Sequence, residues 1–475
     1  MDNYSGRQKL ETQNHCDGRP AANNRRVLVL TSIAAFMAAL DVTIVNVALP
    51  SIQAGVGGDI SGLQWIVAGY TLIFGSLLLA GGTLSDRYGA RNAFVLGIGV
   101  FSIGSLLCGL STSLTQLNLA RILQGCGAAL IVPSTLALLR ESFPDRDARA
   151  RAIAIYAASG GIAQVSGPVL GGFLVSELGW RWIFFVNVPL GSLILLASLR
   201  MPRSKTRTAR EFDFPGQITA ILSLGLLAAG LIEGGRVGWF SLPTISYLAL
   251  SLVALIGFIL VERNSKAPMI PLEVIKDLRT ASLLGVAIIL GFSYFGQFFI
   301  LAIFFQEAWG ATPILAGLAF LPMTVGVTVA NLTIGPSVGR IGSRIPIFGG
   351  QLLCAIGYLF LSFMSAGTSY LPIGIVFAVV GVGGGLIVPA MTAAMLESVS
   401  ADQSGIASGL LNAGRQMGSV IGIALFGSLA AQAGLVRGLQ DALVVAAIAM
   451  AFGCVLALLA VGEKPRLFDR PQTKR

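Results

Sequence analysis

Apolar residues gather into blocks along nearly the whole chain, and short polar segments separate the blocks. A helix needs about 20 residues to cross the roughly 30 Å hydrocarbon core of a bilayer. Fourteen blocks are of this order, at residues 27–49, 62–83, 93–110, 114–139, 150–175, 182–199, 214–232, 242–261, 281–305, 313–334, 345–366, 371–395, 405–430 and 440–462. Backbone N–H and C=O groups find no water in hydrocarbon, so each block is expected to satisfy them internally as a helix. The pattern predicts an all-α integral membrane protein with 14 transmembrane helices, spans 1 to 14. No intervening stretch is long enough for a further soluble domain.

Composition narrows the classes. Of 475 residues, 55% are hydrophobic and 11% charged, against about 25% charged in soluble domains. So few polar residues cannot cover a soluble protein of this size, which excludes a cytosolic enzyme, a secreted domain and a disordered chain. The net charge is +10, but the basic residues lie in short segments between blocks. That pattern sets topology rather than a basic nucleic-acid-binding surface. With the N-terminus inside, 27 of the 32 Lys and Arg fall on the inner side, and only Arg181, Arg236 and Arg437 fall outside. Both termini are therefore expected in the cytoplasm. The polar first 24 residues lack the apolar stretch of a signal peptide and read as a disordered cytoplasmic tail. Cys16, Cys108, Cys126, Cys354 and Cys454 are scattered, and the one histidine, His15, lies in the tail. No metal site, cofactor or histidine-based catalytic triad is expected.

A repeat divides the chain. Gly125-Cys-Gly-Ala-Ala-Leu-Ile-Val-Pro133 recurs 256 residues later as Gly381-Val-Gly-Gly-Gly-Leu-Ile-Val-Pro389, and Glu141-Ser142 returns at the same offset as Glu397-Ser398. Gly82…Asp86-Arg87-Tyr88-Gly89-Ala90-Arg91 returns 253 residues later as Gly335…Gly339-Arg340-Ile341-Gly342-Ser343-Arg344. Span 2 thus corresponds to span 10 and span 4 to span 12. The expected organisation is a tail (1–26), a six-helix half (27–200), a basic linker (201–213), an inserted transmembrane hairpin (214–262), a second linker (263–280), the second six-helix half (281–462) and a cytoplasmic tail (463–475). Two parallel repeats with a midplane site between them is a transporter architecture. The copies differ in charge. Asp86 becomes Gly339, Arg121 becomes Phe377, and span 9 has no interior acid to match Asp41 but carries Phe292, Tyr294, Phe295, Phe298 and Phe299.

Asp41 lies 14 residues into span 1, about 21 Å at 1.5 Å per residue. Arg121 enters from the other side at seven residues, roughly 10 Å. The depths agree, so the two can pair. An ionisable group at such depth costs at least about 2.5–3.5 kcal/mol and marks function by default. One reading is a fixed ion pair that only holds helices together. The other is a titrating Asp41, balanced between dehydration and Arg121, which carries a proton. Gln124 is three residues on from Arg121, on the same face. The segment 82–91 reads as a tight charged loop for gating, with Gly82, Asp86, Arg87, Gly89 and Arg91 its key positions. Span 5 carries Gly160-Gly161 and Gly167-Pro168-Val-Leu-Gly171-Gly172, a proline kink flanked by residues that allow close sliding contact. Arg415 sits near the midplane of span 13 with no acid at its depth; it either snorkels or faces water, binds substrate, or bonds backbone carbonyls structurally. Asn46, Gln124, Gln164, Phe295, Gln297 and Arg415 are the candidate lining of a substrate cavity.

These motifs together resemble the major facilitator superfamily, and within it the fourteen-span drug:proton antiporters. The likeness rests on Leu40-Asp-Val-Thr-Ile-Val-Asn-Val-Ala-Leu-Pro50, the 82–91 segment, Arg121 in span 4, Gly167-Pro168 through Gly171-Gly172, and Trp180-Arg-Trp-Ile-Phe-Phe-Val-Asn-Val-Pro-Leu-Gly191, and covers about residues 26–462. It implies proton coupling at Asp41 and Arg121, an antiporter role for Gly161 and the Gly167–Gly172 motif, and stabilisation of the outward-open state by Asp86. It also implies a bacterial cytoplasmic membrane, protons and a small drug as partners, and a monomer driven by the proton gradient. Some multication exporters of the group have an acid in span 10; none lies in 313–334 here. With Arg121 and Arg415 inside the spans, a neutral or anionic antibiotic is favoured, as in self-resistance exporters of small carboxylic acids. The alternatives are a proton-coupled uptake permease of the same fold and, from another class, a membrane-embedded enzyme or receptor.

Overall fold

The computed structural model describes residues 19–201, 204, 213–265, 268–269, 276–334, 337–399 and 404–460. Seventeen helices and no strand occur among the described residues. They are α1 (Arg19–Val56), α2 (Ile60–Tyr88), α3 (Ala90–Leu110), α4 (Leu114–Ser142), α5 (Arg146–Leu178), α6 (Trp182–Phe185), α7 (Asn187–Ser198), α8 (Phe214–Val237) and α9 (Leu242–Asn264). There follow α10 (Leu278–Glu307), α11 (Pro313–Ala319), α12 (Leu321–Ile334), α13 (Val338–Ile341), α14 (Arg344–Leu361), α15 (Tyr370–Ser398), α16 (Ser404–Ala433) and α17 (Leu435–Ala460). Among the described residues, thirteen spans are long and apolar enough to cross a membrane, and Trp182–Ser198 is a shorter apolar segment.

Short polar residues mark where helices begin. The side chains of Asp59, Ser113, Asp145, Asp213, Ser241, Asp277 and Thr312 each accept a hydrogen bond from the backbone N–H three residues on. These caps satisfy donors that a helix start otherwise leaves open. Two spans are broken where the apolar pattern runs on. Span 6 breaks at Val186 and span 10 at Phe320. Pro189 and Pro322 follow and have no N–H to return to the carbonyls of Phe185 and Leu318, so each ladder loses a bond at that point.

The repeat reappears as packing. The α1–α5 pairing recurs as α10–α16, α2–α4 as α12–α15, and α3–α4 as α14–α15. Between the halves, α2 packs on α16 and α5 on α11. Among the described residues, the direct hydrogen bonds between the halves lie at one end. Gln64 Nε2 donates to the carbonyls of Ile423 (3.1 Å) and Ala424 (2.6 Å), and Gln306 Nε2 donates to that of Val47 (2.9 Å). There too, Gly172 lies against the backbone of Pro313 and Ile314, and Gly317 against that of Pro168. At the other end the first half of α5 is mostly exposed or half-buried. The hydrogen bonds between the halves thus gather at the end that holds the α1–α2 connection, while α2–α16 packing continues past Gly75 against Gln416 to Leu79 against Gly409.

The α8–α9 hairpin bridges both halves through α8. Gln217 Nε2 donates to Ser76 O on α2 (2.8 Å), while on α16 Ser428 Oγ donates to Leu231 O (2.6 Å) and Gln432 Nε2 to Gly234 O (2.6 Å). The second helix, α9, packs on α8 and turns an apolar face outward, as expected of a lipid-facing helix.

α1 begins at Arg19, before the apolar block at 27; Pro20 suits a first helical turn, and Ala21-Ala22 and Arg25-Arg26 continue it favourably. One sequence expectation is corrected. The 82–91 segment is no loop. Gly82 to Tyr88 form the last two turns of α2, Gly89 alone makes the turn at φ +87°, and α3 starts at Ala90. Gly342 repeats that turn at φ +79°. Residues 1–18 and 461–475, with His15, Cys16 and most of the tails, lie outside the described residues.

Candidate functional site

The two intramembrane charges meet. Arg121 Nη1 lies 2.5 Å from Asp41 Oδ2, and neither side chain is exposed. The matching depths on α1 and α4 thus become a direct pair. Four further helices complete its surroundings. Arg121 Nε donates to Ile66 O on α2 (3.1 Å), and the guanidinium lies 4.1 Å from the Tyr70 ring centroid and 5.9 Å from that of Phe184 on α6. Gln124 ties both partners together: its Oε1 accepts from Arg121 Nη1 (2.7 Å), and its Nε2 donates to Asp41 Oδ1 (2.7 Å) and to Ser105 Oγ on α3 (2.7 Å). Asn187 Nδ2, at the start of α7, donates to Asp41 Oδ1 (3.3 Å). Charges so far from water interact strongly, and removing one partner leaves the other uncompensated. Arg121 Nη2, Tyr70 OH and Asn187 Oδ1 are buried without a hydrogen-bond partner. The cluster is polar, sealed and incompletely satisfied.

This site lies inside the first half rather than on an open cavity, which decides where the other candidates fall. Gln124 and Gln297 are fully buried and Asn46 is 2% exposed. Gln297 Nε2 faces Met323 Sδ, and Asn46 Nδ2 bonds back to Val42 O. These three therefore pack within a half here. Gln164, Phe295 and Arg415 are half-buried. Arg415 bonds Asn412 Oδ1 one turn back on its own helix and forms no ion pair among the described residues.

The residues expected to form the gate divide. Arg91 Nε and Nη2 donate to the carbonyls of Ser198 (3.1 Å) and Leu199 (3.0 Å), closing the end of α7. Asp86 and Arg87 are exposed, and Asp86 has no ion pair among the described residues. Gly82 is half-buried in α2. The segment expected to be an antiporter motif lies on α5, which runs unbroken through Pro168. Gly167 meets Thr43, Gly171 meets Ile44 beside Asp41, and Gly172 meets α11 of the other half. Gly161 has open space around it.

Sequence reasoning missed Tyr70, Ser105 and Asn187. The signal for Asn187 was present in the Trp180–Gly191 segment, where a polar residue precedes Val-Pro in an apolar block. In the second half the equivalent place is apolar. Phe377, in the position of Arg121, stacks on Phe320 (5.9 Å, 12°) and meets Phe305 edge-on (6.0 Å).

Comparison with known proteins agrees with this architecture. The chain is 38% identical over 405 residues to the multidrug resistance protein Stp of Mycobacterium tuberculosis, covering 85% of this chain and 75% of that one. It is 35% identical to the methylenomycin A resistance protein of Bacillus subtilis, covering 84% and 86%. Solved folds include a POT family transporter (TM-score 0.68, 16% identity, 91% of this chain and 95% of that one) and the human organic anion transporter MFSD10 (0.64, 15%, 91% and 99%). Residues 31–275 and 283–475 match the Major Facilitator Superfamily, and the chain belongs to that family.

Proposed function

We propose that the protein is a proton-driven antiporter that exports a small hydrophobic antibiotic across the bacterial cytoplasmic membrane and so confers resistance. The observation that carries this reading is the sealed Asp41–Arg121 pair, held by Gln124 and Asn187 beside the α1–α5 glycine contact. Protonation of Asp41 removes its charge and releases Arg121, which changes the packing of α1 on α4. Because Gly171 seats α5 on Ile44 and Gly172 seats α5 on α11, that change reaches the contact between the halves. A proton thus drives the rocking that carries drug outward.

Relatives named for multidrug resistance, methylenomycin A resistance and tetracenomycin C export support the drug class. The half-buried Arg415, with no carboxylate partner among the described residues, favours a neutral or anionic drug, with methylenomycin A a candidate. The energy source is the proton gradient, with no cofactor, no covalent chemistry and no nucleic acid involved. The protein works as a monomer in the bilayer, with both termini in the cytoplasm, and Asp86 forms no ion pair among the described residues.

The test is growth inhibition of a drug-sensitive bacterial host with an acidic, neutral and cationic antibiotic panel. Wild type is expected to protect against acidic or neutral members and Asp41→Asn to lose that protection at equal expression. Protection kept by Asp41→Asn contradicts the proton role.

A further inference from the structure

We infer that Asn187 is a positioning residue that partners the Asp41 carboxyl in both of its protonation states; the inference rests on the proton-coupling reading above. Asn187 is 1% exposed and opens α7, directly after the break at Val186. Its Nδ2 donates to Asp41 Oδ1 while its own Oδ1 has no partner. An ionised carboxylate only accepts hydrogen bonds, whereas a protonated one carries an O–H that needs an acceptor. A buried O–H left without one is costly.

The groups around Asp41 differ in what they offer that O–H. Arg121 only donates. Gln124 is committed, with its Oε1 on Arg121 Nη1 and its Nε2 on both Asp41 and Ser105. Turning its amide would aim an NH₂ at a guanidinium. Asn187 is not committed in this way. A half-turn of its amide exchanges Nδ2 for Oδ1 and presents an acceptor to the carboxylic acid. The proton stays on Asp41, and only the amide turns.

The helix break makes this contact available. Pro189 gives the Phe185 carbonyl no N–H partner, and the new helix starts with Asn187 against α1. The titratable groups near Asp41 are Arg121 from α4, Tyr70 from α2 and Cys108 from α3. Among the described residues, α5, α6, α7 and α10 bring it no hydrogen bond or ion pair from a titratable side chain.

Infrared difference spectra of the full-length protein in lipid, taken across a pH series, test this with the proton itself as probe. The C=O band of the protonated carboxyl is assigned by its loss in Asp41→Asn. In Asn187→Leu that band is expected to move to higher frequency, as a carboxylic acid does on losing a hydrogen bond, and its titration midpoint to move by at least about half a pH unit. Asn187→Ala, which adds no bulk, is read in the same way if the leucine variant misfolds. Asn187→Ser, which keeps a group that both donates and accepts, is expected to lie between it and wild type. A wild-type band and midpoint in folded Asn187→Leu or Asn187→Ala overturns the inference alone. A spectrum in which Asp41→Asn removes no band overturns the proton-coupling reading and the inference with it.

Discussion

Asp41 and Arg121 form a 2.5 Å ion pair with no exposure of either side chain, although 80 residues separate them in the chain. A buried pair of this kind adds little stability relative to an apolar substitute, but breaking it is expensive. Arg121→Leu is therefore expected to destabilise the protein by about 3–5 kcal/mol, and Asp41→Leu/Arg121→Leu to regain most of that loss while remaining inactive. Thermal unfolding of the purified variants reads the difference. Equal destabilisation in the single and double variants would contradict the uncompensated-charge argument.

The α5 glycines are predicted to differ in their tolerance of a side chain. Gly172 lies against the backbone of Pro313 and Ile314 in the other half, whereas Gly161 has nothing within 4 Å. Gly172→Val is expected to cost about 1–3 kcal/mol and to cut transport severely. Gly161→Ala is expected to be neutral or to stabilise by up to about 1 kcal/mol. Expression, melting temperature and drug resistance measured side by side check both.

Gln64 fastens the closed end with two bonds to α16 carbonyls. Each net hydrogen bond contributes about 0.5–1.5 kcal/mol, so Gln64→Leu is expected to shift the balance toward separation at this end several-fold. Electron-spin distance measurements between labels at Ala54 and Ala433, exposed positions near that end of each half, should show a larger long-distance population. An unchanged distribution would mean that helix packing alone holds the end shut.

Arg415 is predicted to select drug charge. A hydrogen bond to a charged group contributes about 1.5–3 kcal/mol, and each 1.4 kcal/mol is about tenfold in affinity. Arg415→Gln is thus expected to raise KM for an acidic drug about tenfold or more and to leave a neutral drug within about twofold. Equal losses for both would make Arg415 a structural residue.

Most of the architecture was legible because lipid imposes a long, simple pattern. The helical spans, the repeat and the Asp41–Arg121 pairing follow from block length, motif offset and depth. What stayed hidden depends on proline position and helix rotation. The breaks at Val186 and Phe320 lie in continuous apolar blocks, and the 82–91 segment continues α2 because one glycine suffices for the turn. Gln124, Gln297 and Asn46 lie in apolar blocks, but block position carries no information on facing, and all three are buried within their own half. Asn187 escaped notice because its partner, Asp41, is 146 residues away.

The central claim is that Asp41 couples drug movement to protons. The direct measurement is transport of methylenomycin A in proteoliposomes under an imposed pH gradient, with internal pH followed at the same time. Wild type is predicted to accumulate the drug against its gradient while dissipating the pH difference. Asp41→Asn is predicted to lose both yet retain drug–drug exchange. Uphill accumulation by Asp41→Asn at the wild-type rate would contradict the account.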